Sequence, residues 1–181
     1  MSGPALGLPG LAGAEHIGLT VPDFDAAVAF FVDVIGCEFV IDAGWSGDRD
    51  LMSRQLGVEP DARYRWGFVR CGNGPNLEIF QYRANGQRTA VPRNSDVGAA
   101  HVAFYVDDMD LAVAHLRRHG VTILGDVQRI VEGPAAGSLW VYFSAPWGLQ
   151  LELVSYPGGK GPEGSPARRL WRPQPSAARG P

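Results

Sequence analysis

The sequence predicts an α+β fold of two tandem βαβββ modules, and three observations support that prediction. The chain has 181 residues, 45% hydrophobic and 19% charged, which is typical of a globular protein. Its two halves resemble each other in sequence. In each half, a β-rich run precedes one amphipathic helical stretch and three more β-rich runs. Because the unit is long and occurs twice, we interpret it as a duplicated module and not as a solenoid.

The internal repeat is visible in two pairs of matching segments. AEHIGLTV at 14–21 matches AAHVAFYV at 99–106, an offset of 85 residues. GPNLEIFQY at 74–82 matches GLQLELVSY at 148–156, an offset of 74 residues. The smaller second offset means that the first half carries an insertion, which we place at 46–62.

The first module begins with a predicted strand over 16–21. Asp23 is the expected N-cap of the following helix, and Gly36 is placed to end it. The residues that recur at helical spacing and predict the buried face are Phe24, Ala27, Val28 and Phe31. Three further strands are predicted at 37–45, 63–71 and 76–83.

The second module repeats this order, with a strand over 101–106 and a helix that Gly120 ends. The predicted buried face of that helix consists of Met109, Ala112, Val113 and Leu116. Its later strands are predicted at 121–130, 138–144 and 149–155. Each module should form a curved sheet with a helix on one face and a concave surface on the other, and two modules together should enclose a cavity.

These elements predict the organisation of the whole chain. Within the insertion, Leu51, Met52, Gln55 and Leu56 predict a short amphipathic helix, which we interpret as a specificity element. The predicted segments are a flexible N-terminus at 1–13, module 1 at 14–83, a polar linker at 84–98, module 2 at 99–156 and a Gly/Pro-rich tail at 157–181.

Charge and composition exclude several classes of partner. A net charge of −3 without clustered positive residues argues against nucleic acid. No run approaches the ~20 apolar residues of a membrane helix. Cys37 and Cys71 lack the spacing of a metal motif, and we expect them to be buried free thiols in a reducing cytoplasm. The sequence therefore predicts a cytoplasmic protein.

Four polar residues recur at equivalent positions of the two modules. His16 corresponds to His101, and Glu78 corresponds to Glu152. A carboxylate inside a sheet requires a compensating charge or metal. Considered singly, each residue is more often a satisfied core histidine or a solvated strand glutamate. Because both types recur, two nitrogen and two oxygen ligands for a divalent metal become the favoured hypothesis.

On these residues the chain resembles the vicinal oxygen chelate superfamily. This superfamily includes glyoxalase I, methylmalonyl-CoA epimerase, extradiol dioxygenases and antibiotic-binding resistance proteins. The resemblance covers 14–156 and rests on EHIGLTVPD with His16, NLEIFQY with Glu78, AHVAFYVDDMD with His101 and GLQLELVSYP with Glu152. It implies a curved mixed sheet with a metal-containing cavity, in which these four side chains hold one divalent ion per chain: Zn, Ni, Co, Mn or Fe. A complete two-His, two-Glu set is similar to the lyase and epimerase branch. Extradiol dioxygenases use three ligands, and methylmalonyl-CoA epimerases carry Gln at the position of Glu78.

The implied reaction moves a proton next to a carbonyl. A substrate with vicinal oxygens would chelate the metal, which would polarise the carbonyl and stabilise an enediolate. By resemblance, Glu152 is the first candidate base and Glu78 the second. Proton return to the opposite face gives an epimerase, whereas return to the neighbouring carbon gives a glyoxalase-type isomerase or lyase. Both outcomes stay open, on a hydroxy-ketone or sugar-like substrate.

Two other functions remain as alternatives. One is a non-catalytic protein that binds an antibiotic or another small molecule in the same cavity, and the other is an Fe(II) extradiol dioxygenase. His115 and His119, four residues apart on the second helix, are a weaker ligand pair. A homodimer is expected, with modules pairing within or between chains. The weaker candidates for substrate contact are Trp45, Arg65, Trp66 and Trp140.

Overall fold

The computed structural model describes residues 8–133 and 135–157, which form two four-stranded mixed sheets, each with a helix. The α+β class and the two βαβββ modules are confirmed. Residues 1–7 of the predicted flexible N-terminus and 158–181 of the predicted tail lie outside the described residues. No helix in the described part of the chain is long and apolar enough to span a membrane.

The first sheet has the strand order β1-β4-β3-β2. β1 runs parallel to β4, whereas the β2–β3 and β3–β4 pairs are antiparallel. A short helical turn, Leu51–Gln55, lies between β2 and β3, inside the predicted insertion. The strands are β1 (His16–Thr20), β2 (Glu38–Ser46), β3 (Arg63–Arg70) and β4 (Asn76–Arg83).

The second sheet repeats this topology in the order β5-β8-β7-β6, again with one parallel pair, β5–β8. Its first strand is shorter than predicted, so that His101 precedes β5 whereas His16 opens β1. The elements are β5 (Ala103–Tyr105), α2 (Met109–Arg118), β6 (Thr122–Arg129), β7 (Leu139–Ser144) and β8 (Gln150–Ser155).

The helix of module 1 begins and ends where the sequence predicts, but its second half has a different geometry. The α1 helix (Phe24–Ala29) starts at Asp23, whose carboxylate accepts a hydrogen bond from the Ala26 amide at 2.8 Å. A π-helix over Phe30–Ile35 continues it until Gly36, at φ 87°, reverses the chain. The predicted single α-helix is therefore half π-helix, and the change accompanies burial of the adjacent rings of Phe30 and Phe31.

One hydrophobic core joins the two modules. Apolar side chains of both sheets and both helices form a single buried cluster. The rings of Phe30 and Phe31 pack edge-on against Trp147, which lies between β7 and β8. In each sheet, the face that packs into this core is largely covered, although a cavity between the modules reaches Leu77 and Leu153 on it, and the opposite face is open.

The two cysteines form a disulfide, so the prediction of free thiols was wrong. Glu38 and Arg70 are directly paired in the β2–β3 ladder. Cys37 and Cys71 lie one residue beyond that pair, with Cα atoms 4.4 Å apart. The insertion separates β2 and β3 in the sequence, and the register in which these strands pair brings the two cysteines together. Disulfides persist mainly in oxidising compartments, and the cytoplasmic location stays a prediction.

Candidate active site

The alternation of side chains along β4 and β8 separates core residues from candidate ligands. Leu77 and Ile79 are buried in the core, so Glu78 projects from the opposite face of its sheet. Leu151 and Leu153 are buried in the same way on either side of Glu152. We call the face that carries the glutamate the open face of each sheet.

Each glutamate contacts the histidine of its own module. His16 Nε2 lies 3.2 Å from Glu78 Oε2, and His101 Nε2 lies 3.0 Å from Glu152 Oε2. The carboxylate side chains are only 17% and 14% exposed, whereas the imidazoles are 42% and 35% exposed. Each pair thus presents one nitrogen and one oxygen donor at the surface of an open face. We call these pairs the first and second half-sites.

The structure brings the four predicted ligands together as two pairs and not as one cluster. Within residues 8–133 and 135–157, no group of three or more His, Cys, Asp or Glu side chains is placed to hold one metal ion. The chain as a monomer therefore presents two separate half-sites.

An aromatic ring lies beside each pair in the same geometry. Phe68 is the cross-strand partner of Glu78, and its ring meets that of His16 edge-on at 5.5 Å. Tyr142 is the partner of Glu152, and its ring meets that of His101 edge-on at 5.3 Å. Desolvation, and then the charge of Glu152, raise the pKa of Tyr142.

Glu15 belongs to the first half-site and was missed by the sequence analysis. Its carboxylate binds His16 Nδ1 and accepts a hydrogen bond from Asn76 Nδ2 at 2.8 Å. The hydrogen bond to Glu15, and then the charge of Glu78, raise the pKa of His16. Such a contact orients an imidazole toward a ligand on its other nitrogen. The repeat indicates this difference, because it aligns Glu15 with Ala100, so that a carboxylate precedes the histidine only in module 1.

A stack of aromatic rings extends the open face of module 1. The ring of Tyr82 stacks on those of Tyr64 and Phe80 at 5.9 and 5.7 Å. The helical turn of the insertion packs on this stack through Met52, which is fully buried. Burial, followed by the nearby Tyr64 and Glu78, raises the pKa of Tyr82. We call Tyr64, Trp66, Phe80 and Tyr82 the aromatic wall.

The equivalent surface of module 2 is less aromatic. At the repeat offset, Ser138 replaces Tyr64 and Val154 replaces Phe80. Trp140, the counterpart of Trp66, packs edge-on against Tyr142 with ring centroids 5.3 Å apart. The predicted contact residues Trp66 and Trp140 therefore both lie near a half-site, in different surroundings.

Trp45 and Arg65, the other predicted substrate contacts, are engaged within the protein. The Trp45 ring stacks with the guanidinium of Arg83 at 4.0 Å. Arg65 bonds Asp42 at 2.7 Å and Asp25 at 3.0 Å, and it lies over the ring of Phe24 on the core face. The hydrogen bond to Asp42 is the main cause of a raised pKa at Arg65.

The histidine pair on α2 connects the modules. His115 Nε2 lies 2.8 Å from the Val34 carbonyl of module 1, and His119 Nδ1 lies 2.9 Å from the His115 carbonyl. These contacts satisfy a carbonyl at the end of each helix. The pair thus has a structural role in this fold.

Comparisons with known proteins agree with this architecture. The family model for the Glyoxalase/Bleomycin resistance protein/Dioxygenase superfamily matches residues 15–157. A 2-epi-5-epi-valiolone epimerase from an Actinomyces species is 44% identical over 169 residues, which cover 93% of this chain and 92% of that protein. The uncharacterised protein YaeR of Escherichia coli K12 is 30% identical over 145 residues, 80% of this chain and 96% of that one. A glyoxalase family protein from Bacillus cereus shares the fold, with a TM-score of 0.69 at 19% identity over 85% of this chain and all of that chain.

Proposed function

Because the chain belongs to the Glyoxalase/Bleomycin resistance protein/Dioxygenase superfamily, we propose that it is a metal-dependent epimerase that inverts a carbon next to a ketone. The protein is an enzyme of isomerase or lyase type. The name of the 44% identical relative favours epimerisation over the lyase reaction and suggests a polyhydroxylated cyclic ketone as substrate. The observation that carries the proposal is the recurrence of one His–Glu pair, in one geometry, on both open faces.

The donor atoms suit a borderline divalent ion. Each half-site offers an imidazole Nε2 and a carboxylate oxygen that already face each other. Two half-sites together supply two nitrogen and two oxygen ligands, a set that leaves positions for substrate oxygens. A bound ion would polarise the substrate carbonyl and acidify the neighbouring C–H bond.

We infer that a second copy of the chain completes the site. One chain keeps its half-sites apart, while the opposite faces of its sheets are already packed in the shared core. β1 and β5, which lead from the two histidines, each lie at an edge of their sheet. In a homodimer, the first half-site of one subunit would face the second half-site of its partner.

In that arrangement, the two glutamates divide the proton transfer. Glu152 removes the α-proton from one side of the substrate, and Glu78 returns a proton from the other side, which inverts the carbon. The reverse reaction exchanges the two roles. The aromatic wall covers the apolar face of the substrate ring and excludes water beside the first half-site.

Metal content and proton exchange test the proposal together. Protein purified without a chelating column should contain about one divalent ion per chain by elemental analysis. In deuterated water, 2-epi-5-epi-valiolone should gain deuterium at its α-carbon, as measured by NMR. His101→Ala should lose both properties, while His119→Ala, on the exposed end of α2, should keep both.

A protein that stays metal-free after incubation with Zn, Ni, Co, Mn and Fe would overturn the metal site. A metal-loaded protein that exchanges no α-proton would overturn the epimerase.

A further inference from the structure

The aromatic rings beside the two glutamates differ by one oxygen atom. Phe68 and Tyr142 occupy equivalent positions, each paired across the strands with its glutamate and edge-on to its histidine. The ring is therefore common to both half-sites, and its hydroxyl is present only in the second.

Packing holds the Tyr142 ring in one orientation. The imidazole of His101 lies against it at 5.3 Å with an interplanar angle of 86°, and the indole of Trp140 lies against it at 5.3 Å and 69°. A phenol is longer than a glutamate side chain, and both leave the same face at paired positions. The ring of Tyr142 therefore lies beside Glu152 on the open face, where a substrate would bind.

The hydroxyl is also available to a ligand. Among the residues that the structure describes, none forms a hydrogen bond with Tyr142 Oη, and the atom is not one of the buried polar atoms without a partner. A hydroxyl that is not fully buried, on a ring held from two sides, has the preorganisation that substrate recognition requires.

We propose that Tyr142 is a substrate-binding residue whose hydroxyl donates a hydrogen bond to a substrate oxygen other than the two that chelate. This inference rests on the proposed function. A site with pseudo-twofold ligands would accept a ring in two orientations. A hydrogen-bond donor that is present on only one side selects one of these orientations. The substrate class is therefore a ketone with a third oxygen within reach of the second half-site.

Tyr142→Phe removes that oxygen and leaves the ring. We expect kcat/KM for 2-epi-5-epi-valiolone to fall about 10- to 100-fold and its Kd, from NMR titration, to rise. Metal content by elemental analysis should stay unchanged. His119→Ala, on the exposed end of α2, is the control and should retain wild-type kinetics.

A series of monodeoxy analogues of the same ketone identifies the oxygen. For the analogue that lacks the bonded oxygen, the kcat/KM of the wild type should be as low as that of Tyr142→Phe. The mutation and the missing hydroxyl remove the same hydrogen bond. Equal kcat/KM in wild type and Tyr142→Phe would overturn the inference. So would a loss that is the same for every analogue, which indicates a structural role.

The Kd separates this inference from the proposed function. A wild type that binds the ketone without exchanging its α-proton would overturn the epimerase, and the Kd of Tyr142→Phe would still decide the role of the hydroxyl. A wild type that binds none of it would overturn both.

Discussion

The open faces of the two modules carry the same His–Glu pair in different surroundings. In module 1 the pair lies beside the aromatic wall, the inserted helical turn packs on that wall, and Glu15 binds the second nitrogen of the histidine. In module 2 the neighbours are Tyr142 and Trp140, and Ala100 stands where module 1 has Glu15. The duplication thus kept the candidate ligands and varied what surrounds them. The shared residues account for the proposed chemistry, and the differing ones for how a substrate would be oriented.

The largest expected effect comes from removing one carboxylate from each module in separate chains. Glu78→Gln and Glu152→Gln should each lower the rate of α-proton exchange at least about 100-fold, because a base is lost. When the two variants are refolded together, mixed dimers should restore about a quarter of wild-type activity, since one site in each mixed dimer is intact. A mixture that stays inactive would show that each site forms within a single chain.

The next effect concerns the disulfide, which only module 1 has. Reduction, or Cys37→Ser, should lower the free energy of unfolding by about 3–4 kcal/mol, because the link closes a long loop in the unfolded chain. Urea unfolding of the wild type with and without reductant measures this loss. The double variant Cys37→Ser, Cys71→Ser is the control and should not respond to reductant. Two thiols titrating in denatured, unreduced protein would contradict the pairing.

A smaller effect is expected where the insertion packs on the aromatic wall. Met52→Ala should destabilise the protein by about 2–3 kcal/mol, since the side chain is fully buried in a small cluster. The Kd for the ketone should also rise, while metal content stays the same. Ser53→Ala, on the exposed side of the same turn, serves as the control. An unchanged Kd would show that the insertion does not contribute to substrate binding.

The smallest effect is expected on the pKa of His16, the histidine of module 1. In metal-free protein, the hydrogen bond to Glu15 and the charge of Glu78 hold the pKa of His16 above its usual value. The stabilisation from this raised pKa is complete below about pH 6.5 and disappears as the pH rises through the pKa of the folded state. Glu15→Gln should lower the pKa in an NMR titration. A pKa of His16 that does not respond would contradict the role of Glu15.

The duplicated fold and the equivalence of the candidate ligands in the two modules follow from the sequence alone. Strand alternation put Glu78 and Glu152 on the face opposite buried apolar residues, and the predicted cap at Asp23 starts the first helix. These features depend on neighbours in the chain or on the repeat. The contact of Glu15 with His16 is also local, but the alignment with Ala100 shows only that the two modules differ there, and the contact itself comes from the structure.

The contacts between residues that are distant in sequence follow from the packing of the whole fold. Register across the insertion joined Cys37 to Cys71, and packing between modules buried adjacent rings in a π-helix. Arg65 became an ion-pair partner on the core face, because β3 turns that side toward α1. The two His–Glu pairs lie apart because the modules pack through a common core and leave their open faces to other contacts. Such outcomes depend on the register and packing of remote segments, which periodicity along the chain does not encode.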